Sequence, residues 1–449
     1  MTATVFLVLL FSIFWIKARS LEAAVLDVYL PCFLFIPYIY GFRLPHMPGL
    51  DFGSAPLTPI AIFLLIRYGR EWKFTRSDLW LALFTGGAVL TEVLHSDMGT
   101  AGLIFFDILF RGVMPYMLGK LLLERGDMRE RFVRRLVFLM AFIAIVSVWE
   151  YRMSMNLFNR VEDVVFGYGS GYTQMIRGGL VRITATFGMC ILAGTMFATG
   201  FILSLWLGFH EKEKGDEPKY LGVRRSTLAT LAVFAGLYMA NSRGPELGAV
   251  LGFLVARIGK AKNMRMTAIA TVLLLAIVGT AGYIKAEQYT RGTIYDAKST
   301  EQEDAIYRRV LLDEYKPYIE AGGLLGYGVV ARPVVSGMFS IDNAFLYFQL
   351  IQGNLGLWTF VLMGLEALVG AFLAARRATQ TSDIYFGMCV GGAMAGVLLT
   401  LTTVWMGPGV FSIFFLLLGW SQSLRQTQPA TAAVPQPVNT RFSFRRVIA

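Results

Sequence analysis

A few charged residues stand where the chain is otherwise apolar, and their types suit the handling of an anion and a hydroxyl group. Arg243 lies in Met239-Ala-Asn-Ser-Arg-Gly-Pro-Glu-Leu-Gly248, between two very apolar runs. Pro245 suits the first turn of a helix, so the segment reads as a tight, buried turn with Glu246 close by. A guanidinium is a rigid fork of donors that matches phosphate oxygens. The competing reading of Arg243 is an arginine snorkelling to an interface. Arg308 and Arg309 fall in the run Asp304–Glu320, whose spacing predicts a helix. One face of it would carry Tyr307, Leu311 and Tyr315, and another Arg308, Leu312 and Lys316. Taken alone, the two arginines also fit solvated charges. Asp342 and Asn343 follow, just where the chain turns apolar again. A carboxylate is favourable at a helix N-terminus, so Asp342 reads as a cap, or as a general base for a hydroxyl.

The other polar groups suggest less. Asp107 and Arg111 are four apart in one apolar run, so they share a helix face and can pair; Glu92, in the preceding run, could join them. Ionisable groups in such runs are costly and are usually paired or functional. Cys32, Cys190 and Cys389 all sit in apolar runs and read as core residues. His46, His95 and His210 have no ligand spacing, so no metal or other cofactor is expected. The net charge of +11 suits the lysines and arginines of short cytoplasmic loops. With no basic-aromatic stripe, nucleic acid is not an expected partner.

These residues must be positioned by membrane helices. Of 449 residues, 55% are hydrophobic and 16% charged, well below the roughly 25% charged residues of soluble domains. Runs such as Thr186–Gly208 and Met266–Ile284 reach the length of a span, about 20 residues. The expected fold class is an all-α polytopic transmembrane bundle of about twelve spans. A long periplasmic loop with short helices interrupts it. Basic loops at Arg67–Arg76, Lys120–Arg135, Arg224-Arg225, Arg257–Arg265 and Arg376-Arg377 alternate with nearly uncharged connections at 95–99, 241–244 and 403–408. The basic loops are therefore expected in the cytoplasm, which puts 150–185 and 285–340 on the periplasmic side of a bacterial inner membrane. The organisation is then N-terminal helices at 1–149, a periplasmic loop at 150–185, central helices at 186–284, a catalytic loop at 285–354, C-terminal helices at 355–424, and a disordered cytoplasmic tail at 425–449 ending near Arg445-Arg446. Thr2–Ile16 lacks a preceding basic residue and a cleavage site, and reads as a retained helix rather than a signal peptide. The stretch 341–375 would run about 52 Å as one straight helix, too long for a hydrocarbon core of about 30 Å. A break at Gln352-Gly-Asn-Leu-Gly356 would resolve it into a surface helix, Asp342–Gln352, and a span, Leu355–Ala375.

Taken together, Asn241-Ser-Arg-Gly244, Tyr307-Arg-Arg-Val-Leu-Leu312, Gly322-Gly-Leu-Leu-Gly-Tyr-Gly328, Asp342-Asn-Ala-Phe-Leu346 and Gly353-Asn-Leu-Gly356 resemble the O-antigen ligase and polymerase superfamily. These are bacterial inner-membrane glycosyltransferases of the GT-C type. The resemblance is strongest over 225–365 and rests on the ordered set rather than on any one motif. Arg182-Ile-Thr-Ala-Thr-Phe-Gly188 also resembles the family's segment before the next span.

The resemblance implies transfer of a glycan from undecaprenyl diphosphate to an acceptor hydroxyl in surface polysaccharide assembly, without nucleotide sugar or metal. Arg243 and Arg308 would then hold the diphosphate, with Arg309 as the alternative to Arg308 and Arg182 as a secondary contact. Asp342 would activate the acceptor. Asn343 would bind sugar hydroxyls or simply cap the helix. Ligases carry His-Asn where this chain has Asp342-Asn343. Asp is the weaker base, which shifts weight from lipid A ligation toward an exopolysaccharide polymerase. The expected partners are the lipid-linked glycan, an acceptor glycan or glycolipid, the bilayer and a polysaccharide export complex. The rival readings are a transporter or flippase with a polar path through Glu92, Asp107 and Arg111, and a non-catalytic scaffold. Transporters typically show internal repeats and broken helices near the midplane; no clear repeat is present here.

Overall fold

The computed structural model describes residues 4–426 apart from 44–47, 170–171, 173, 216–218, 221 and 339. The tail after Gln426 lies outside the described residues. The chain is all-helical, as the apolar runs predict. In order, the helices are α1 (Thr4–Ala18), α2 (21–35, with a π turn at Val25–Tyr29), α3 (Ser54–Tyr68), α4 (Arg76–His95), α5 (Met98–Leu121, with a π turn at Leu109–Val113) and α6 (Met128–Met153). They continue as α7 (Leu157–Phe166), α8 (Cys190–Lys214), α9 (Arg225–Met239), α10 (Arg243–Ile258), α11 (Met264–Tyr289), α12 (Thr300–Gly322), α13 (Ala344–Arg377), α14 (Thr381–Leu401) and α15 (Pro408–Gln426). Seven of these, α4, α5, α6, α8, α11, α13 and α14, are long and apolar enough to cross a membrane. The others that carry apolar runs are shorter, α1, α3 and α9 having 15 residues each. Within the long loop, α12 has 23 residues, so that loop holds one substantial helix rather than only short ones.

Strands are confined, among the described residues, to three antiparallel two-stranded ribbons. The one that matters pairs Met175–Arg177 with Leu180–Arg182, in the register Met175↔Arg182 and Arg177↔Leu180. The core is aromatic and runs through the bundle. Phe84, Phe132, Phe197, Phe360, Phe414 and Trp420 are fully buried, with Phe360 stacked on Phe414 at 4.8 Å between ring centres. By contrast, α11 has no buried residue and presents an apolar surface all round.

Glycines let α10 and α14 touch backbone to backbone. Gly248 and Gly252 face Gly396 and Gly392, and a Cβ at any of the four would lie 2.4–2.7 Å from a facing carbonyl oxygen. Small residues four apart allow such close packing in lipid, where burial itself gives no driving force between helices. Because α10 starts at Arg243, this seam sets the height of that arginine. Gly252→Val is expected to cost about 3 kcal/mol, the upper end for overpacking, since backbone cannot move aside. Size-exclusion and thermal melting in detergent should show a large loss of monodisperse protein. A wild-type melt would refute the close seam.

The break in the long C-terminal helix occurs at Gly353, with φ 61° and ψ −158°. The Gly-rich segment before it takes up the interrupted backbone groups. The N–H groups of Tyr327 and Gly328 donate to the carbonyls of Leu350 and Ile351 at 2.9 and 3.0 Å. Those of Asn354 and Leu355 donate to Gly323 and Leu324 at 3.0 Å. A break among apolar helices is tolerated when the freed groups are satisfied in this way. The exchange also ties the end of α12 to the middle of α13.

Candidate functional site

Helix α12 carries one stripe at alternating three- and four-residue spacing: Glu301, Asp304, Arg308, Leu311 and Tyr315. Such spacing keeps side chains on one face. The second half is apolar, with Leu311 and Tyr315 buried against Met338, Ile341, Leu346 and Leu350. The first half is charged and collects partners from distant segments. Glu301 Oε2 accepts from Arg243 Nη2 at 2.7 Å. Asp304 Oδ2 accepts from Arg177 Nη2 at 3.1 Å. Arg308 comes next on the stripe and lies close enough to Arg182 for the two cations to repel.

Arg182 is 6% exposed. Burial lowers its pKa; the Cys190 sulfur opposes that shift, Arg177 and Arg308 add to it, and Asp304 opposes it. Its Nε donates to the Ala240 carbonyl at 3.4 Å, and the neighbouring Ile183 N–H donates to Met239 at 3.2 Å. The ribbon is thereby fastened to the turn that carries Arg243. That turn is made by Asn241 at φ 44°, a left-handed conformation that Asn accepts more readily than most residues. Four arginines (177, 182, 243 and 308) thus meet two carboxylates, an excess of positive charge suited to an anion.

The sequence-based expectations fare differently residue by residue. Arg182, Arg243 and Arg308 come together around α12. Arg243 is not in a buried pocket: Ser242 is buried, but the Arg243 side chain is 61% exposed and pairs with Glu301 rather than Glu246. Of the adjacent arginines, Arg308 is on this stripe; the buried Nε atoms of both Arg308 and Arg309 have no hydrogen-bond partner among the described residues. Arg309 projects elsewhere and donates to the Gly292 carbonyl at 2.7 Å.

The cap of α13 is Asn343, not Asp342. With Asn343 extended (φ −157°), its Oδ1 accepts from Phe345 and Leu346 N–H at 3.0 and 3.1 Å. This satisfies two of the free donors of a helix start. Asp342, one residue earlier, instead accepts from Ser340 Oγ at 2.5 Å. Ser340 is itself clamped by Tyr307, whose hydroxyl donates to the Ser340 carbonyl at 2.7 Å and accepts from its N–H at 3.0 Å. Adjacent residues of α12 therefore serve both halves of the site, Tyr307 toward Asp342 and Arg308 toward the arginine cluster.

Two residues escaped the sequence reading. Arg177 is one; the signal was Gly178-Gly179, whose positive φ values of 56° and 76° make the two-residue hairpin turn that Gly-Gly favours. Asp51 is the other. Arg111 does pair with Asp107, at 2.8 Å, but its second partner is Asp51 at 3.0 Å. Glu92 does not join them. Its Oε1 accepts from the Val329 N–H, and its buried Oε2 has no partner among the described residues.

Close to this end of the bundle, α7 holds a pH-sensitive contact. Glu162 is 5% exposed and accepts from the Tyr40 hydroxyl at 3.1 Å. Burial pushes its carboxyl up to about 7, against the opposing Tyr40 hydrogen bond and with a contribution from Asp163. A carboxyl raised in the folded state favours folding most below its unfolded pKa, about 4.3. That stabilisation is lost as pH rises through about 7. Glu162→Gln should flatten this dependence, worth on the order of 3 kcal/mol. Thermal melts of wild type and variant at pH 5 and pH 8 check it: the variant should be the more stable at pH 8. An unchanged pH dependence would remove Glu162 as its source.

Comparison with known proteins assigns no family: no family model matches the chain, and no curated protein matches it.

Proposed function

We propose that the protein is an inner-membrane glycosyltransferase that moves a glycan from undecaprenyl diphosphate to an acceptor hydroxyl. Polymerisation of surface polysaccharide is favoured over lipid A ligation. In this reading the basic loops are cytoplasmic, about twelve helical passes cross the bilayer, and the end carrying α12 is periplasmic. The observation that carries it is the cluster of Arg177, Arg182, Arg243 and Arg308 with Glu301 and Asp304, on the helix whose Tyr307 holds the Ser340 that bonds Asp342.

The chemistry follows from charge. The bond between the sugar anomeric carbon and the diphosphate oxygen breaks, and the leaving diphosphate gains negative charge. Preorganised guanidinium groups stabilise that charge without a metal. The acceptor oxygen forms the new bond to the anomeric carbon, and its proton passes to the Asp342 carboxylate. Ser340 orients one oxygen of that carboxylate.

Deleting the gene in its native host and separating lipid-linked from surface glycans by size tests the reading. Single unpolymerised repeats support a polymerase. Full-length chains held on the lipid carrier support a ligase. Unchanged glycans, in a host with no second homologue, would overturn the proposal in favour of a transporter or scaffold.

A further inference from the structure

At the far end of α10 from Arg243, an open cavity of about 340 Å³ lies between the start of α11, the end of α13 and the start of α14. Met264, Phe372, Ala375 and Ile384 give it an apolar wall, and Arg265 and Arg376 give it charge; no carboxylate lines it among the described residues. Local structure fixes both arginines in place. Gly259 lets the end of α10 press on α14, since a Cβ there would meet the Tyr385 Cα at 2.9 Å. Lys260 continues that contact, its Nζ 4.1 Å from the centre of the Tyr385 ring. Asn263 then caps α11, its Oδ1 accepting from the Met266 N–H at 3.2 Å. Met264 and Ile384 pack with the buried Ala375 and Met388, which holds the start of α11 to α13 and α14. Neither Arg265 nor Arg376 has an ion-pair partner among the described residues. The stretch 257–265 carries Arg257, Lys260, Lys262 and Arg265 with no acid. The first acid after Arg376 in the chain, Asp383, is taken by Arg129.

The cavity stands where three apolar runs meet water. Arg265 directly precedes Met266, Arg376 follows Ala375, and Ile384 opens the run of α14. In a bilayer such boundaries lie at the level of the lipid headgroups. Two unpaired guanidinium groups match the oxygens of a phosphate. A free phosphate would use them but leave the apolar wall wet. A zwitterionic lipid would bring its own cation up to the two arginines. An anionic phospholipid suits both walls. Its phosphate sits at the arginines, and its acyl chains run along Phe372 and α11, whose apolar surface is exposed all round. Basic pockets between membrane helices hold anionic headgroups in this way.

We propose that this cavity binds the headgroup phosphate of an anionic phospholipid, which ties α11 to the ends of α13 and α14. The site goes beyond the glycan-transfer reading and does not depend on it. The probe is phosphatidylglycerol, titrated into purified full-length protein in neutral detergent, with phosphatidylcholine and inorganic phosphate as comparisons. Native mass spectrometry reads the affinity, and thermal melting reads the stabilisation. Phosphatidylglycerol should bind wild type and raise its melting temperature; the two comparisons should do neither. Arg265→Gln and Arg376→Gln should each weaken binding at least about tenfold, the loss of one charge-assisted contact. Without added lipid both should melt like wild type, because neither side chain is paired. If Arg265→Gln nevertheless melts early, Arg376→Gln decides the matter. Arg257→Gln removes the same charge from the same basic stretch but lies outside the lining, and should leave binding intact. Equal affinity for phosphatidylcholine, binding insensitive to Arg376→Gln, or an equal loss in Arg257→Gln overturns the site. Inorganic phosphate binding as tightly as phosphatidylglycerol overturns the lipid as its occupant.

Discussion

Replacing Arg308 with Ala is expected to lower glycan transfer by about 100- to 1,000-fold, the effect of removing one preorganised donor from a developing anion, with membrane levels of the protein unchanged. The expectation comes from the state of the side chain. Arg308 sits on the same stripe of α12 as Asp304 and Glu301, no side-chain partner holds its guanidinium among the described residues, and the nearby Arg182 repels it. A cation held beside another cation contributes little to folding, so its removal should not destabilise the helix. Arg308→Lys keeps the charge but loses the two-pronged geometry, and should recover only part of the activity. Arg309→Ala should be nearly silent in transfer, because that guanidinium is engaged with the Gly292 carbonyl. Arg243→Ala should also abolish transfer, and in addition free Glu301, its ion-pair partner. Complementing a deletion strain with each variant and sizing the lipid-linked glycans gives the comparison. Full activity from Arg308→Ala, or a defect in Arg309→Ala as deep as that in Arg308→Ala, would remove Arg308 from the diphosphate role.

Gly353→Ala should have a large structural effect. Gly353 occupies φ 61°, ψ −158°, a region essentially reserved for glycine. Its would-be Cβ lies 2.4 Å from the Leu324 backbone and 2.5 Å from the Gly326 nitrogen. Gly326, at φ 71°, meets the Gly353 nitrogen at 2.4 Å in return. Strain of about 1–3 kcal/mol for the backbone is thus joined by a collision between two main chains. Relief requires separating the Gly-rich segment from α13, which breaks the four exchanged hydrogen bonds and releases the end of α12. The expected outcome is a partly folded protein: hydrogen exchange should accelerate over 322–328 and 350–355, and transfer should fall with it. Native-like protection in Gly353→Ala would show that the two segments are not in contact.

The spacing of residues carried part of the site and missed part for identifiable reasons. Arg243 stood out because a guanidinium in a short turn between apolar runs is conspicuous. The helix around Arg308 was legible from its periodicity, and the break at Gly353 from length alone, since an unbroken helix would be far too long. Asp342 and Asn343 are adjacent polar residues before a helix, and either could cap it; only the extended backbone at Asn343 selects it. Asp51 and Arg111 are sixty positions apart in the chain, and Arg177 and Asp304 lie in different loops. No local pattern connects such pairs.

Composition and periodicity by themselves determined that this chain is built of apolar helices, and which charged residues stand apart from them. These are local properties: a helix needs only neighbours in sequence to satisfy its backbone. Which arginines share a site was decided by tertiary structure, because it depends on how α12 packs on the start of α13 and on glycine contacts that set the approach of α10 to α14. The choice of Asp51 over Glu92 as the partner of Arg111, and the meeting of Arg308 with Arg182, each depends on a contact between segments distant in the chain. Chain connectivity leaves such contacts open, and packing closes them.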